Sequence, residues 1–137
     1  MIVVDTNIDS FYSRELNYVR TLSHRNAIIP LLLQTGIGRC LIASAYSYEH
    51  AFVGIAKNMS FSDLIAYPML STEVLDILSI GSQYTRTEKT LRVAEIPDSF
   101  DTLDVCFRQR KGGNCSVCPK CVRTLLTLEI AGLMECY

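Results

Sequence analysis

Apolar residues fall in short runs separated by polar turns, and the spacing within each run predicts an element. Ile2-Val3-Val4 is apolar and β-branched and is closed by Asp5-Thr6-Asn7, the pattern of a buried strand. Phe11, Tyr12, Leu16 and Val19 fit a short amphipathic helix. Ser23 is placed to cap a helix from His24 to Gln34, with Gly36 as its stop and Pro30 predicting a kink or a later start. Cys40 to Ala43 reads as a second buried strand, which runs into Ser44-Ala45-Tyr46-Ser47-Tyr48-Glu49-His50. The stretch 51–63 predicts an irregular connection or a weak helix, and Tyr67-Pro68 an extended or turn dipeptide. Leu75 to Ile80 is a third strand. Thr85-x-x-Glu88 matches a capping box and opens a helix to about Glu95, which Pro97 ends. Leu103 to Cys106 predicts a fourth short strand. A last helix from Lys120 to Ala131 would set Val122, Leu125, Leu126, Ile130 and Leu133 on one face, with Gly132 as its stop. Strands alternating with helices point to an α/β layer fold with a mainly parallel sheet.

Composition narrows the class. The 137 residues fit one domain over 1–137, and 49% hydrophobic with 20% charged residues describes a globular chain. A net charge of −1 counts against a nucleic-acid partner. Apolar runs such as Ala27 to Leu33 are too short to span a bilayer, so no membrane partner is expected. Met1 to Asp5 lacks the basic start and long apolar core of a secretory leader, and a cytoplasmic location is expected.

Candidate chemistry concentrates near the C-terminus, where Cys106, Cys115, Cys118 and Cys121 are spaced C-x8-C-x2-C-x2-C. Two adjacent C-x2-C steps form a knuckle in which three thiolates turn toward one point, and a separate arm brings the fourth. Four soft ligands with no open position are the pattern of a structural Zn²⁺ site, here the segment 106–121. Lys111-Gly112-Gly113-Asn114 supplies permissive backbone between the arms, and Lys120 and Arg123 stand close enough in sequence to offset the thiolate charge. An iron–sulfur cluster uses the same ligands, a redox dithiol needs fewer, and disulfides need an oxidising compartment. Cys40 reads as a small hydrophobe in its strand, and Cys136 as a spare thiol or a replacement ligand.

Elsewhere the residues speak less clearly. Ser44 and Tyr46 fall at the carboxyl end of a predicted strand, where open α/β sheets bind ligands, although an ordinary polar strand exit has the same composition. His24 and His50 stand apart from the cysteines and read as solvated or capping residues. Glu73, Glu88 and Lys89 fit either a cleft or exposed helix faces.

With these residues placed, the chain resembles the C-terminal portion of 7-cyano-7-deazaguanine synthases and their relatives in the PP-loop ATP pyrophosphatase superfamily. The resemblance rests on the four cysteines, on Arg25-Asn26 before an apolar helix, on Tyr67-Pro68, and on Thr85-Arg86-Thr87-Glu88-Lys89 after a strand. The tail from Cys118 to Leu126 is similar to that of further relatives. It implies a partial adenine nucleotide alpha hydrolase-like fold with a C-terminal four-cysteine zinc knuckle and helix. Ser44, Tyr46, Tyr67 and Lys89 would line the substrate site. The phosphate loop Ser-Gly-Gly-x-Asp-Ser of that family has no counterpart here, and Met69-Leu70-Ser71 stands where its Asp-Cys-Arg step follows Tyr-Pro. The resemblance therefore implies that ATP binds only with a complementing phosphate loop. It also implies a partner chain supplying the N-terminal part, or self-association through an open sheet edge. The other expectation is a zinc-stabilised module without catalysis, used for binding or assembly.

Overall fold

The computed structural model describes residues 3–12, 17–108 and 113–136. The chain divides into two compact units, Met1–Gln83 and Tyr84–Tyr137.

In the first unit, helix α1 spans Tyr18–Leu32. It starts earlier than the sequence predicts because Asn17, rather than Ser23, is the cap: its side-chain oxygen accepts the Arg20 N–H at 3.1 Å. Ser23 lies one turn inside the helix and is buried with Ala27 and Pro30 on the face toward the core. Pro30 does not delay the helix, because it falls in the last turn and burial of its ring offsets the lost backbone bond. Of the predicted helix through Phe11 and Val19, Phe11 lies in a short 3₁₀ turn, Ile8–Phe11, and Val19 lies inside α1. Leu16, in that prediction, lies outside the described residues.

Strands β1 (Arg39–Ala43) and β2 (Asp76–Ile80) pair in parallel, from Arg39 opposite Asp76 to Ala43 opposite Ile80. Helix α2, Asp63–Met69, lies in the crossover between them. Ala27, Tyr67, Leu75 and Ile77 form the core, with Leu31, Ile37, Cys40, Ile42 and Leu70 packed on it. Two expectations fail here. Val3 and Val4 are in no strand and are 78% and 43% exposed, because no neighbouring strand pairs with them among the described residues; Ile2 lies outside those residues. Tyr67-Pro68 is helical rather than extended, since Tyr67 is drawn into the core and Pro68 sits in the last turn of α2.

In the second unit, helix α3 spans Arg86–Val93 and opens on the predicted capping box. The Thr85 side chain accepts the Glu88 N–H, and the Glu88 carboxylate accepts the Thr85 N–H at 2.7 Å. Helix α4 spans Pro119–Ile130, with proline at its first position. Gly132, at φ +69°, closes it: the Leu133 N–H reaches the Leu128 carbonyl and the Gly132 N–H that of Glu129. Leu103 to Cys106 is not a strand, because side chains rather than a neighbouring strand take its backbone groups. The buried face of α4 is Cys121, Thr124, Thr127 and Leu128, so the expected apolar face of Val122, Leu126 and Ile130 points to solvent. The cysteine cluster, rather than apolar periodicity, decides which side of α4 is covered. No helix among the described residues is long and apolar enough to cross a membrane.

Candidate metal centre

Cys118 is the N-cap of α4. Serine, threonine or aspartate usually occupies such a position, because the helix start leaves backbone N–H groups without partners. Here a sulfur takes that role, accepting the Cys121 N–H at 3.5 Å. Pro119 follows with no N–H to satisfy and a φ already suited to the first turn. The same turn presents Cys121, whose sulfur lies 3.4 Å from that of Cys118. One C-x2-C step is thus a helix start, and both thiols are fully buried.

The other C-x2-C step is a tight reversal. Ser116 takes φ +57°, a left-handed conformation uncommon for a residue with a side chain, and this turns Cys115 back over the helix start. The Cys115 and Cys121 sulfurs are 3.9 Å apart. Cys106 arrives on the 103–106 arm, which Asn114 pins. The Asn114 side-chain oxygen accepts the Val105 N–H at 2.9 Å, and its amide donates to the Leu103 carbonyl at 2.7 Å. Asp104 holds the Cys106 N–H at 3.0 Å. The reading of Lys111 to Asn114 as merely permissive backbone missed this side chain; Lys111 and Gly112 lie outside the described residues.

The four sulfurs of Cys106, Cys115, Cys118 and Cys121 all lie within 4.8 Å of one another. A tetrahedral ion with metal–sulfur bonds of about 2.3 Å needs sulfurs about 3.8 Å apart, so the set fits one such ion. All four thiols are free. Electrostatics divide them. The Cys121 backbone N–H holds the Cys118 thiol down to about 6, and burial pushes Cys121 up to about 11. The Val117 backbone N–H lowers Cys115. A cation entering the cluster meets sulfur already disposed to lose a proton at Cys118 and displaces a proton from Cys121.

Beside the cluster, Arg86 and Lys89 of α3, Lys120 and Arg123 of α4, and Asp104 and Cys106 line a cavity of about 360 Å³. Partial burial and the neighbouring Arg86 hold Lys89 below the ordinary lysine value.

The remaining sequence candidates occupy the first unit, apart from Glu88, Lys89 and Cys136. Ser44 follows β1, and its N–H donates to the Ile80 carbonyl at 2.8 Å. The Tyr46 ring stacks on Phe61 with centroids 4.0 Å apart. Together with Ser47, Ser60, Asp63 and Ser82 they close around a space too small for a water molecule. Tyr67 is a core residue, 1% exposed, and its hydroxyl accepts from the Asn26 amide at 3.4 Å. Arg25 stacks over Tyr18, 4.1 Å from the ring centroid. His50 pairs with the Ser47 hydroxyl at 3.0 Å, while His24 and Glu73 are exposed. Cys40 packs against the core, and the Cys136 side chain lies outside the described residues. Sequence reasoning did not single out Asp63, which is buried beside the Ser23 hydroxyl and whose carboxyl burial pushes up.

Comparison with models of protein families, with curated protein sequences and with solved structures returned no match.

Proposed function

We infer that this chain is the zinc-bearing C-terminal portion of a PP-loop ATP pyrophosphatase of the 7-cyano-7-deazaguanine synthase type, inactive without a phosphate loop supplied from elsewhere. The observation that carries this reading is the set of four cysteine sulfurs within 4.8 Å of one another at the start of α4. Cys106, Cys115, Cys118 and Cys121 would hold Zn²⁺ with every position filled by thiolate. Such an ion cross-links the 103–121 segment to α4 and offers no open position for a substrate.

Three further observations support the reading. The Arg-Asn and Tyr-Pro steps of the resemblance meet through the Asn26 to Tyr67 hydrogen bond. The α3 capping box stands where the resemblance places a helix start after a strand, and its Lys89 lines a cavity with three other cations, a setting suited to an anion. The parallel sheet leaves Leu41 and Ile80 55% and 45% exposed, whereas parallel sheets are ordinarily covered on both faces, so a further layer fits against it. A complete enzyme of this type would adenylate a carboxylate or amide oxygen and release pyrophosphate. The absent Ser-Gly-Gly-x-Asp-Ser loop would provide most of the backbone N–H groups that cradle the pyrophosphate.

A four-sulfur set with every position filled by thiolate supplies no chemistry of its own and favours a second reading, a zinc-stabilised module without catalysis. One titration separates the two. Metal content is measured on the purified chain, and ATP and pyrophosphate are then titrated into it by calorimetry. One zinc per chain with saturable pyrophosphate binding, lost in Lys89→Ala, supports the enzyme portion. One zinc with no nucleotide or pyrophosphate binding, on the chain alone and again after a chain carrying the Ser-Gly-Gly-x-Asp-Ser loop is added, supports the module. A chain that takes up no zinc sinks both.

A further inference from the structure

The first unit buries polar groups at the carboxyl end of its sheet that nothing in the unit satisfies. Ser79 of β2, Ser82 just beyond that strand, Ser60, and Asp63 at the start of α2 line one small space. Ser60, Asp63 and Ser82 are 4%, 6% and 1% exposed. The hydroxyl oxygens of Ser60, Ser79 and Ser82 are buried and make no hydrogen bond among the described residues. A buried hydroxyl without a partner is costly, and water cannot relieve these three, since the space is too small to hold one. Backbone bonds fix the walls. The Ser44 N–H reaches the Ile80 carbonyl and the Tyr48 N–H the Ser82 carbonyl, each at 2.8 Å, and the Phe52 N–H reaches the Phe61 carbonyl at 3.0 Å. Asp63 accepts from the Ser23 hydroxyl but forms no ion pair among the described residues. Burial pushes its carboxyl up, as it does for a carboxylate with no cation beside it.

We propose that this space is a site for one bare sodium ion, held by the Asp63 carboxylate and the hydroxyls of Ser60, Ser79 and Ser82. Hydroxyl and carboxylate oxygens are hard ligands and suit a hard cation rather than zinc, which the cysteine cluster takes. Hydroxyl oxygens offer their lone pairs to the ion and turn their hydrogens away from it. Charge and size then choose the cation. One carboxylate neutralises one positive charge, so a divalent ion would leave a buried excess charge. Sodium is about the size of Ca²⁺, whose oxygen ligands lie at about 2.3–2.6 Å, closer than the roughly 2.7–3.0 Å of a hydrogen-bonded water. Sodium therefore fits where water does not, while potassium, about as large as water, is excluded. The bound ion ties the end of β2 to the start of α2 and gives the three hydroxyls the partner they lack.

The experiment is thermal unfolding of the full chain with zinc supplied, followed by circular dichroism in sodium, potassium and choline chloride of equal ionic strength. At about pH 8 the midpoint should be higher in sodium than in choline by about 4 °C or more, because only the folded chain holds the ion. Potassium should behave as choline does. The sodium NMR line should broaden when the chain is added. Asp63→Asn keeps the shape of the side chain and removes its charge, so it should abolish both the sodium increment and the broadening. Ser82→Ala removes one ligand and should shrink the increment, even though deleting an unpaired hydroxyl raises the midpoint in choline. Equal midpoints in sodium and choline, a potassium increment as large as that of sodium, or an increment that persists in Asp63→Asn overturns the proposal. None of these readouts depends on nucleotide binding, so the proposal and the enzyme reading fail separately.

Discussion

Asn114 and Val105 are joined across the cysteine loop, side-chain oxygen to backbone N–H at 2.9 Å. The same Asn114 side chain donates to the Leu103 carbonyl at 2.7 Å, so one residue ties the arm carrying Cys106 to the arm carrying Cys115. Asn114→Ala removes both bonds. It should cost about 1–2 kcal/mol in denaturant unfolding, the scale of two partly exposed hydrogen bonds. Zinc affinity, read by competition with a chromogenic chelator, should fall with it, because Cys106 then has to be ordered when the metal binds. An Asn114→Ala chain with unchanged metal affinity would show that the arm is held by the ion alone.

Cys118→Ser separates the metal from the helix start. Serine is a favoured N-cap, so the α4 cap survives the change while one of the four sulfurs is lost. Thermal stability and zinc content should both drop, because metal-binding free energy is folding free energy for this segment. Cys40→Ser, which alters a thiol outside the cluster, should leave zinc content unchanged. Unchanged melting and metal content in Cys118→Ser would remove the structural-zinc reading.

Metal affinity should also climb with pH. Zinc takes thiolates, and burial holds the Cys121 proton up to about 11, so binding near neutrality displaces at least that proton. Cys118, held down to about 6, gives up its proton at lower pH. Chelator competition from pH 6 to 8 should show affinity rising, and calorimetry in buffers of different ionisation enthalpy should show proton release. A flat profile would mean that another metal-binding chemistry operates.

Two carboxyls should bend the stability profile in opposite directions. Burial keeps Asp63 protonated to higher pH in the folded unit than in the unfolded chain. Its contribution is complete below the unfolded value of about 3.9 and is lost as pH rises through the raised folded value. Asp63→Asn, which still accepts from Ser23, should remove that loss. Glu88 is the reverse case, lowered by the Thr85 backbone N–H of the capping box. Its contribution is present above the unfolded value of about 4.3 and is lost as pH falls through the lowered folded value. Glu88→Gln should flatten the acid limb of the second unit. Unfolding curves across the acid to neutral range check both signs.

Features whose physics is local were legible in the order of residues alone. The capping box at Thr85 and Glu88 is built from residues three apart, and backbone geometry alone makes them partners. Strands β1 and β2 read directly from their apolar runs, and Gly132 marked the end of α4 because only a left-handed turn ends the helix there. The cysteine spacing foretold a convergent cluster, since two C-x2-C steps leave the thiols little freedom to diverge. Tertiary structure decided what depends on residues distant in the chain. Tyr67-Pro68 is helical because Tyr67 is pulled among Ala27, Leu75 and Ile77, which outweighs the preference of a residue before proline. Val3 and Val4 have strand-forming side chains, but a strand exists only where another pairs with it. Leu103 to Cys106 has the same limitation, and Asn114 rather than a neighbouring strand satisfies its backbone. The outward face of α4 was hidden for a related reason: periodicity shows that a helix has an apolar side, while the anchoring of Cys118 and Cys121 sets where that side points.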